Sequence, residues 1–143
     1  MSKILNMLMA FVMSFGISGS NVNPSDIPEN SNFEVHFIDV GQADSALIEC
    51  DGETMMIDGG NVADSNVVAA YLKKEDVTEL NYVVCSHAHE DHVGGLSGAL
   101  SVTKADNIYA PKTKANTKAY KNFKKKAEEQ NVEIKHPNVG DEI

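Results

Sequence analysis

Residues 85–95 read Cys85-Ser86-His87-Ala88-His89-Glu90-Asp91-His92-Val93-Gly94-Gly95, or CSHAHEDHVGG. Three histidines and one aspartate fall within six positions, in a chain that has five histidines. The apolar run Leu80–Cys85 (LNYVVC) leads into the cluster and predicts a short strand. Residues 93–102 predict a short, glycine-containing helix behind it. The cluster therefore belongs on a loop at the C-terminal end of a strand, the edge where α/β sheets place their sites. On a loop the side chains of residues 87, 89, 91 and 92 can converge, whereas a regular strand would send 91 and 92 to opposite faces. Imidazole nitrogen and carboxylate oxygen are donors that zinc takes at about 2.0–2.2 Å. Two neighbouring pairs of donors suit two ions better than one closed tetrahedral site. Two ions about 3.5–4 Å apart can share a hydroxide and clamp both the attacking and the leaving oxygen. The HExxH zinc motif is excluded, because no histidine stands four residues after His89. A solvated histidine loop is the competing reading, and the flanking VVCS and VGG weigh against it.

Outward from this loop the pattern is that of alternating strands and helices. FEVHFIDV (33–40) alternates, with Phe33, Val35 and Phe37 on one face. SALIEC (45–50) and TMMID (54–58) flank Asp51-Gly52, a hairpin signal. Asp64 or Ser65 predicts the cap of a helix running to Lys74, with Val67, Val68, Tyr71 and Leu72 as its apolar stripe. NIYAP (107–111) predicts a strand, Thr113–Gln130 a lysine-rich helix with Ala119, Tyr120, Phe123 and Ala127 inward, and VEIK (132–135) a last strand. A hairpin followed by strands alternating with helices predicts an α/β (α+β) layered sheet with a mixed start. A single sheet of this kind leaves apolar faces without a partner.

The chain has 143 residues, 42% hydrophobic and 23% charged, which fits one domain. Its net charge of −9 excludes wholesale attraction to nucleic acid or anionic membrane. The charge is unevenly spread: residues 104–126 hold eight lysines against one acid, Asp106. Those lysines either neutralise a phosphate backbone or form a solvated helix face. There is no arginine, hence no planar clamp for phosphate. Lys3 followed by the apolar run Ile4–Ile17 and the small residues Ser18 and Ser20 reads as a secretory signal over 1–20, with an uncleaved membrane anchor or a buried helix as alternatives. Residues 21–32 (NVNPSDIPENSN) read as a flexible linker, and 33–143 as the domain. This predicts a secreted or extracytoplasmic protein, or a membrane-anchored one. Cys50 and Cys85 have no CxxC partner and read as small buried hydrophobes rather than a disulfide or a thiolate ligand.

SHAHEDHVGGL resembles the HxHxDH signature of the metallo-β-lactamase-fold hydrolases. More narrowly, FIDVGQADSALIECDGETMMIDGG (37–60) resembles the start of the metallo-hydrolase domain of ComEC-type competence proteins, which act in DNA uptake. The resemblance implies an αββα sandwich with a metal site along one edge of its sheets. It implies His87 and His89 on a first zinc ion, Asp91 and His92 on a second, and Asp91 orienting the nucleophile. It implies that Asp58 orients ligands by hydrogen bonds. Asp39 and Asp44 match the DVGQxDS stretch, as turn formers or as functional groups, and Ala43 stands where the family has glycine. The resemblance also implies that Gly94-Gly95 bring a helix N-terminus towards the metals. The substrate it implies is DNA or another phosphodiester. The family's later ligands, a histidine, a bridging aspartate and a final histidine, have no counterpart motif after His92. His136, Asp106 and Asp141 do not stand in such motifs. The chain is therefore expected to carry the N-terminal half of the sandwich. It is either a hydrolase or an incomplete metal-binding half-domain that needs a partner segment.

Overall fold

The structure, a computed structural model, describes residues 32–141. The segment read as a signal or anchor, and nearly all of the linker, lie outside the described residues. Strands β1 (Phe33–Phe37), β2 (Ala46–Cys50) and β3 (Glu53–Ile57) form an antiparallel meander. The β2–β3 turn is Asp51-Gly52 as predicted, with both residues at positive φ (49° and 85°), the backbone that a type I′ hairpin needs. From there the sheet turns parallel. Helix α1 (Ser65–Lys74) connects β3 to β4 (Glu79–Val84). The short helices α2 (Glu90–Val93) and α3 (Leu96–Val102) connect β4 to β5 (Lys104–Tyr109). Helix α4 (Lys118–Glu129) leads to the two-residue strand β6 (Ile134–Lys135). The six strands pair in sequence order.

The predicted single helix over 93–102 is two helices, broken at Gly94-Gly95. Helix α4 starts at Lys118 rather than Thr113, because the Thr117 Oγ1 accepts a hydrogen bond from the Tyr120 amide at 3.2 Å and caps it. Strand β5 begins at Lys104, earlier than NIYAP suggests, since its pairing with Glu79 and Leu80 of β4 outweighs the low strand preference of Lys104 and Asp106.

The helices among the described residues lie on one face of the sheet. Leu47, Met56, Leu80, Val83 and Ile108 on that face pack with Val68 and Leu72 of α1, Leu96 and Leu100 of α3, and Phe123 of α4. The opposite face carries a second apolar cluster of Ile48, Cys50 and Met55, with Phe33, Val35, Ile57, Tyr82 and Val84 against it. Among the described residues no helix residue joins that cluster. Phe37 shares the face with Phe33 and Val35 but is 85% exposed. The described residues thus form one αβ layer pair, half of an αββα sandwich. No helix among them is long and apolar enough to cross a membrane.

Two phenylalanines test the two faces. Phe123 is fully buried, so Phe123→Ala should lower unfolding free energy by about 3–5 kcal/mol. Phe37→Ala should change it by no more than about 0.5 kcal/mol. Urea titration of the full chain measures both, and a large loss at Phe37 would contradict a helix-free, open outer face.

Candidate metal centre

Three loops meet at the C-terminal ends of β3 and β4, and backbone hydrogen bonds lock them together. The Asp58 amide donates to the Val84 carbonyl (2.9 Å), Gly59 to His92 (2.7 Å), Gly60 to Asp44 (2.9 Å), Gly95 to Gly60 (3.1 Å) and Asp44 to Asp91 (3.3 Å). At the glycines the 58–60 and 92–95 loops meet backbone to backbone. A Cβ on Gly95 would overlap the Gly59 carbonyl oxygen, and one on Gly94 would overlap the Val62 amide. The Gly94-Gly95 pair therefore seats the histidine loop on the Asp58 loop, and α3 begins directly after it. Ala43, which stands where the family has glycine, keeps a negative φ and packs against the core, so alanine is unstrained there.

Within this frame His87, Asp91 and His92 bring one donor atom each to within 4.8 Å of one another. His92 is held by Asp58, which is 3% exposed and sits at φ 55°, in the left-handed region that aspartate tolerates. The Asp58 Oδ2 accepts from His92 Nδ1 at 2.8 Å. The same carboxylate accepts from the Ser86 amide (2.8 Å) and the Ser86 hydroxyl (2.5 Å). With Nδ1 on Asp58, the other ring nitrogen of His92, Nε2, faces the carboxylates of Asp44 (3.7 Å) and Asp91 (3.8 Å). Ser86 Oγ lies 3.0 Å from His87 Nδ1 and so directs a second imidazole. Asp58, which the resemblance casts as a ligand-orienting residue, is hydrogen-bonded to His92 and Ser86. His89 is exposed; its ring stands edge-on to His87 at 4.8 Å between centroids, beside the three-donor group rather than within it.

Two residues left open resolve differently. Asp39 accepts from the Gly41 amide at 3.1 Å and shapes a turn, while Asp44 faces His92. Ser86 went unread; its place between the strand end and His87 was visible, but its bonds to Asp58 depend on how two distant loops meet. His136 donates from Nδ1 to the Ala110 carbonyl at 2.8 Å and stands apart from the donor group. Asp106 accepts from Asn81 Nδ2 (3.1 Å) and Asp141 caps Asn138 (2.7 Å). Cys50 and Cys85 are both buried, in different clusters. The Cys85 thiol donates to the His87 carbonyl at 3.0 Å.

Imidazole and carboxylate donors at a sheet edge, with an imidazole oriented by a buried carboxylate, are the equipment of a metal-dependent hydrolase. The model of the metallo-beta-lactamase superfamily matches residues 38–141, and the chain belongs to that superfamily. Its fold is that of the superfamily's metal-dependent hydrolases, and its donors fit the ions these depend on. No curated relative matches. Among solved structures, the metallo-beta-lactamase SMB-1 bound to 2-mercaptoethanesulfonate is similar at 26% identity, over 52% of this chain and 29% of that one, with TM-score 0.46. A Cronobacter sakazakii metallo-beta-lactamase mutant gives 20% identity, 54% and 30% coverage and TM-score 0.48. A diphosphatase of the PhnP family gives 19%, 66% and 37%, and TM-score 0.43. The chain spans about three tenths of the length of the first of these structures.

Burial, followed by the Asp58 charge, pushes the Cys85 thiol from its ordinary value of 9.0 up to about 12. The folded form therefore keeps a proton that the unfolded form loses. This contribution to stability is complete below about pH 9 and is lost as pH rises towards about 12. Cys85→Ala should accordingly lose less Tm than the wild type between about pH 8 and about pH 10. Equal losses in the two proteins would refute this.

Proposed function

We propose that the chain supplies the metal-binding first half of a phosphodiester-hydrolysing site, of the kind found in ComEC-type proteins. The observation that carries the proposal is the convergence of His87, Asp91 and His92, with Asp58 fixing the His92 tautomer. His87 and His89 would hold one ion and Asp91 and His92 another, with zinc the ion that imidazole–carboxylate sets favour. Bound ions would supply Lewis acidity and an activated water. Asp58 holds His92 in its donor form, Ser86 steadies both Asp58 and His87, and the half-exposed Asp91 keeps a carboxylate at the open side of the cluster.

The DVGQADS stretch, whose Asp44 faces His92, supports the ComEC-type reading. The lysines support a polyanionic substrate. Lys112 and Lys114 are exposed on the loop that leaves β5 at the same sheet edge, and Lys118, Lys121 and Lys124 are exposed on α4. DNA and simpler phosphodiesters share the backbone chemistry such lysines recognise. Location outside the cytoplasm, through residues 1–20, is part of the same proposal. A second reading is favoured by the helix-free outer face with its exposed Phe37: a metal-binding half-domain that hydrolyses only when a partner segment covers that face.

The test is hydrolysis of bis(p-nitrophenyl) phosphate and single-stranded DNA by the full chain with zinc. Activity should vanish with chelator, return with zinc, and fall roughly 10–100-fold in Asp58→Asn. Metal-loaded protein that hydrolyses neither substrate would sink the enzyme reading. A β-lactam cleaved in preference to both would overturn the substrate class.

A further inference from the structure

A second group of donor atoms stands away from the loops after β3 and β4. Glu34, His36 and Glu49 bring one atom each to within 4.8 Å of one another. The β1–β2 register sets Glu34 directly opposite Glu49 and His36 opposite Leu47, so all three donors share the helix-side face of the edge hairpin. Two carboxylates directly across a sheet repel.

The His36 ring is fixed. Its Nδ1 lies 2.8 Å from the Tyr71 hydroxyl of α1, and the two rings meet edge to face at 5.9 Å. Its Nε2 is buried and has no hydrogen-bond partner among the described residues. The nearest carboxylate oxygen, Glu34 Oε2, is 3.6 Å away. That is too long for a hydrogen bond. It matches the separation of two donors on one tetrahedral ion, about 3.4 Å for bonds of about 2.1 Å. When Nδ1–H donates to the Tyr71 oxygen, the Nε2 lone pair is the free one, which is the tautomer of a metal-ligating histidine whose other nitrogen is held by a neighbour. Glu49 also lines a cleft of about 440 Å³ whose walls carry Glu75, Asp76 and Glu79. The local field thus draws cations towards the group.

We propose that Glu34, His36 and Glu49 bind a divalent transition-metal ion of the zinc type, separate from the centre at His87–His92. One imidazole and two carboxylates leave room for water and suit zinc or manganese over calcium, which takes oxygen donors only. The ion clips the edge strand β1 to β2 and, through Tyr71, to α1. Its role is to hold the edge hairpin in place.

The experiment is zinc binding to the full chain by equilibrium dialysis with metal analysis, with thermal melting as a second readout. In a His87→Ala/His89→Ala/His92→Ala background, one zinc per chain should remain. Adding Glu34→Gln and Glu49→Gln should weaken that binding at least tenfold and abolish the zinc-dependent rise in Tm. The same two glutamines in the otherwise wild-type chain should lower zinc stoichiometry by one, which covers the case of a triple variant that fails to fold. Without zinc they should leave Tm unchanged or raise it, because a repulsive pair is removed. Unaltered stoichiometry in the glutamine variant, or no zinc held by a folded triple-histidine variant, overturns the proposal.

Discussion

The hydrogen bond from His92 Nδ1 to the buried carboxylate of Asp58 is the contact on which the site depends. Asp58 leaves β3 in a left-handed backbone conformation that turns its side chain under the histidine loop. From there one carboxylate serves an imidazole, a backbone amide and a hydroxyl. Burying a carboxylate is costly unless its oxygens are satisfied, and these are. The satisfied carboxylate in turn decides which nitrogen of His92 is free. Loop geometry, ligand tautomer and the charge under the site follow from this one residue.

The glycines make that contact possible. Asp58 reaches His92 because the 58–60 and 92–95 loops approach to backbone distance, where no Cβ fits at Gly59 or Gly95. Cys85, at the strand end, completes the seal with a neutral thiol bonded to the His87 carbonyl. It acts as a packed donor and not as a ligand. The sheet then divides the molecule in two. The helix side holds the main core, while the other side offers a smaller apolar cluster that no helix among the described residues covers.

Much of this was legible before any coordinates. The spacing in SHAHEDH and its place after LNYVVC identified a donor-bearing loop at a strand end, and Asp51-Gly52 identified the hairpin. Asp58 was legible only through the family resemblance, because nothing local in MMIDGG says that its carboxylate turns inward. Ser86 and the Gly59–Gly95 contact were illegible for a physical reason: they exist only where two segments far apart in sequence touch. The start of α4 was missed because Thr113 and Thr117 are equal candidates for a cap, and only the packing of Tyr120 and Phe123 separates them. His36 carries no local signal of a site, since the approach of Tyr71 and Glu49 is set by tertiary contact and strand register.

The most direct measurement of the central contact is the tautomer of His92. Long-range ¹H–¹⁵N correlation of the histidine rings in the metal-free full chain distinguishes a protonated Nδ1 from a protonated Nε2. The structure predicts a proton on Nδ1 and a bare Nε2 in the wild type, with that preference lost in Asp58→Asn. A proton on Nε2 in the wild type, or a spectrum indifferent to Asp58, would contradict the claim that this carboxylate sets the site.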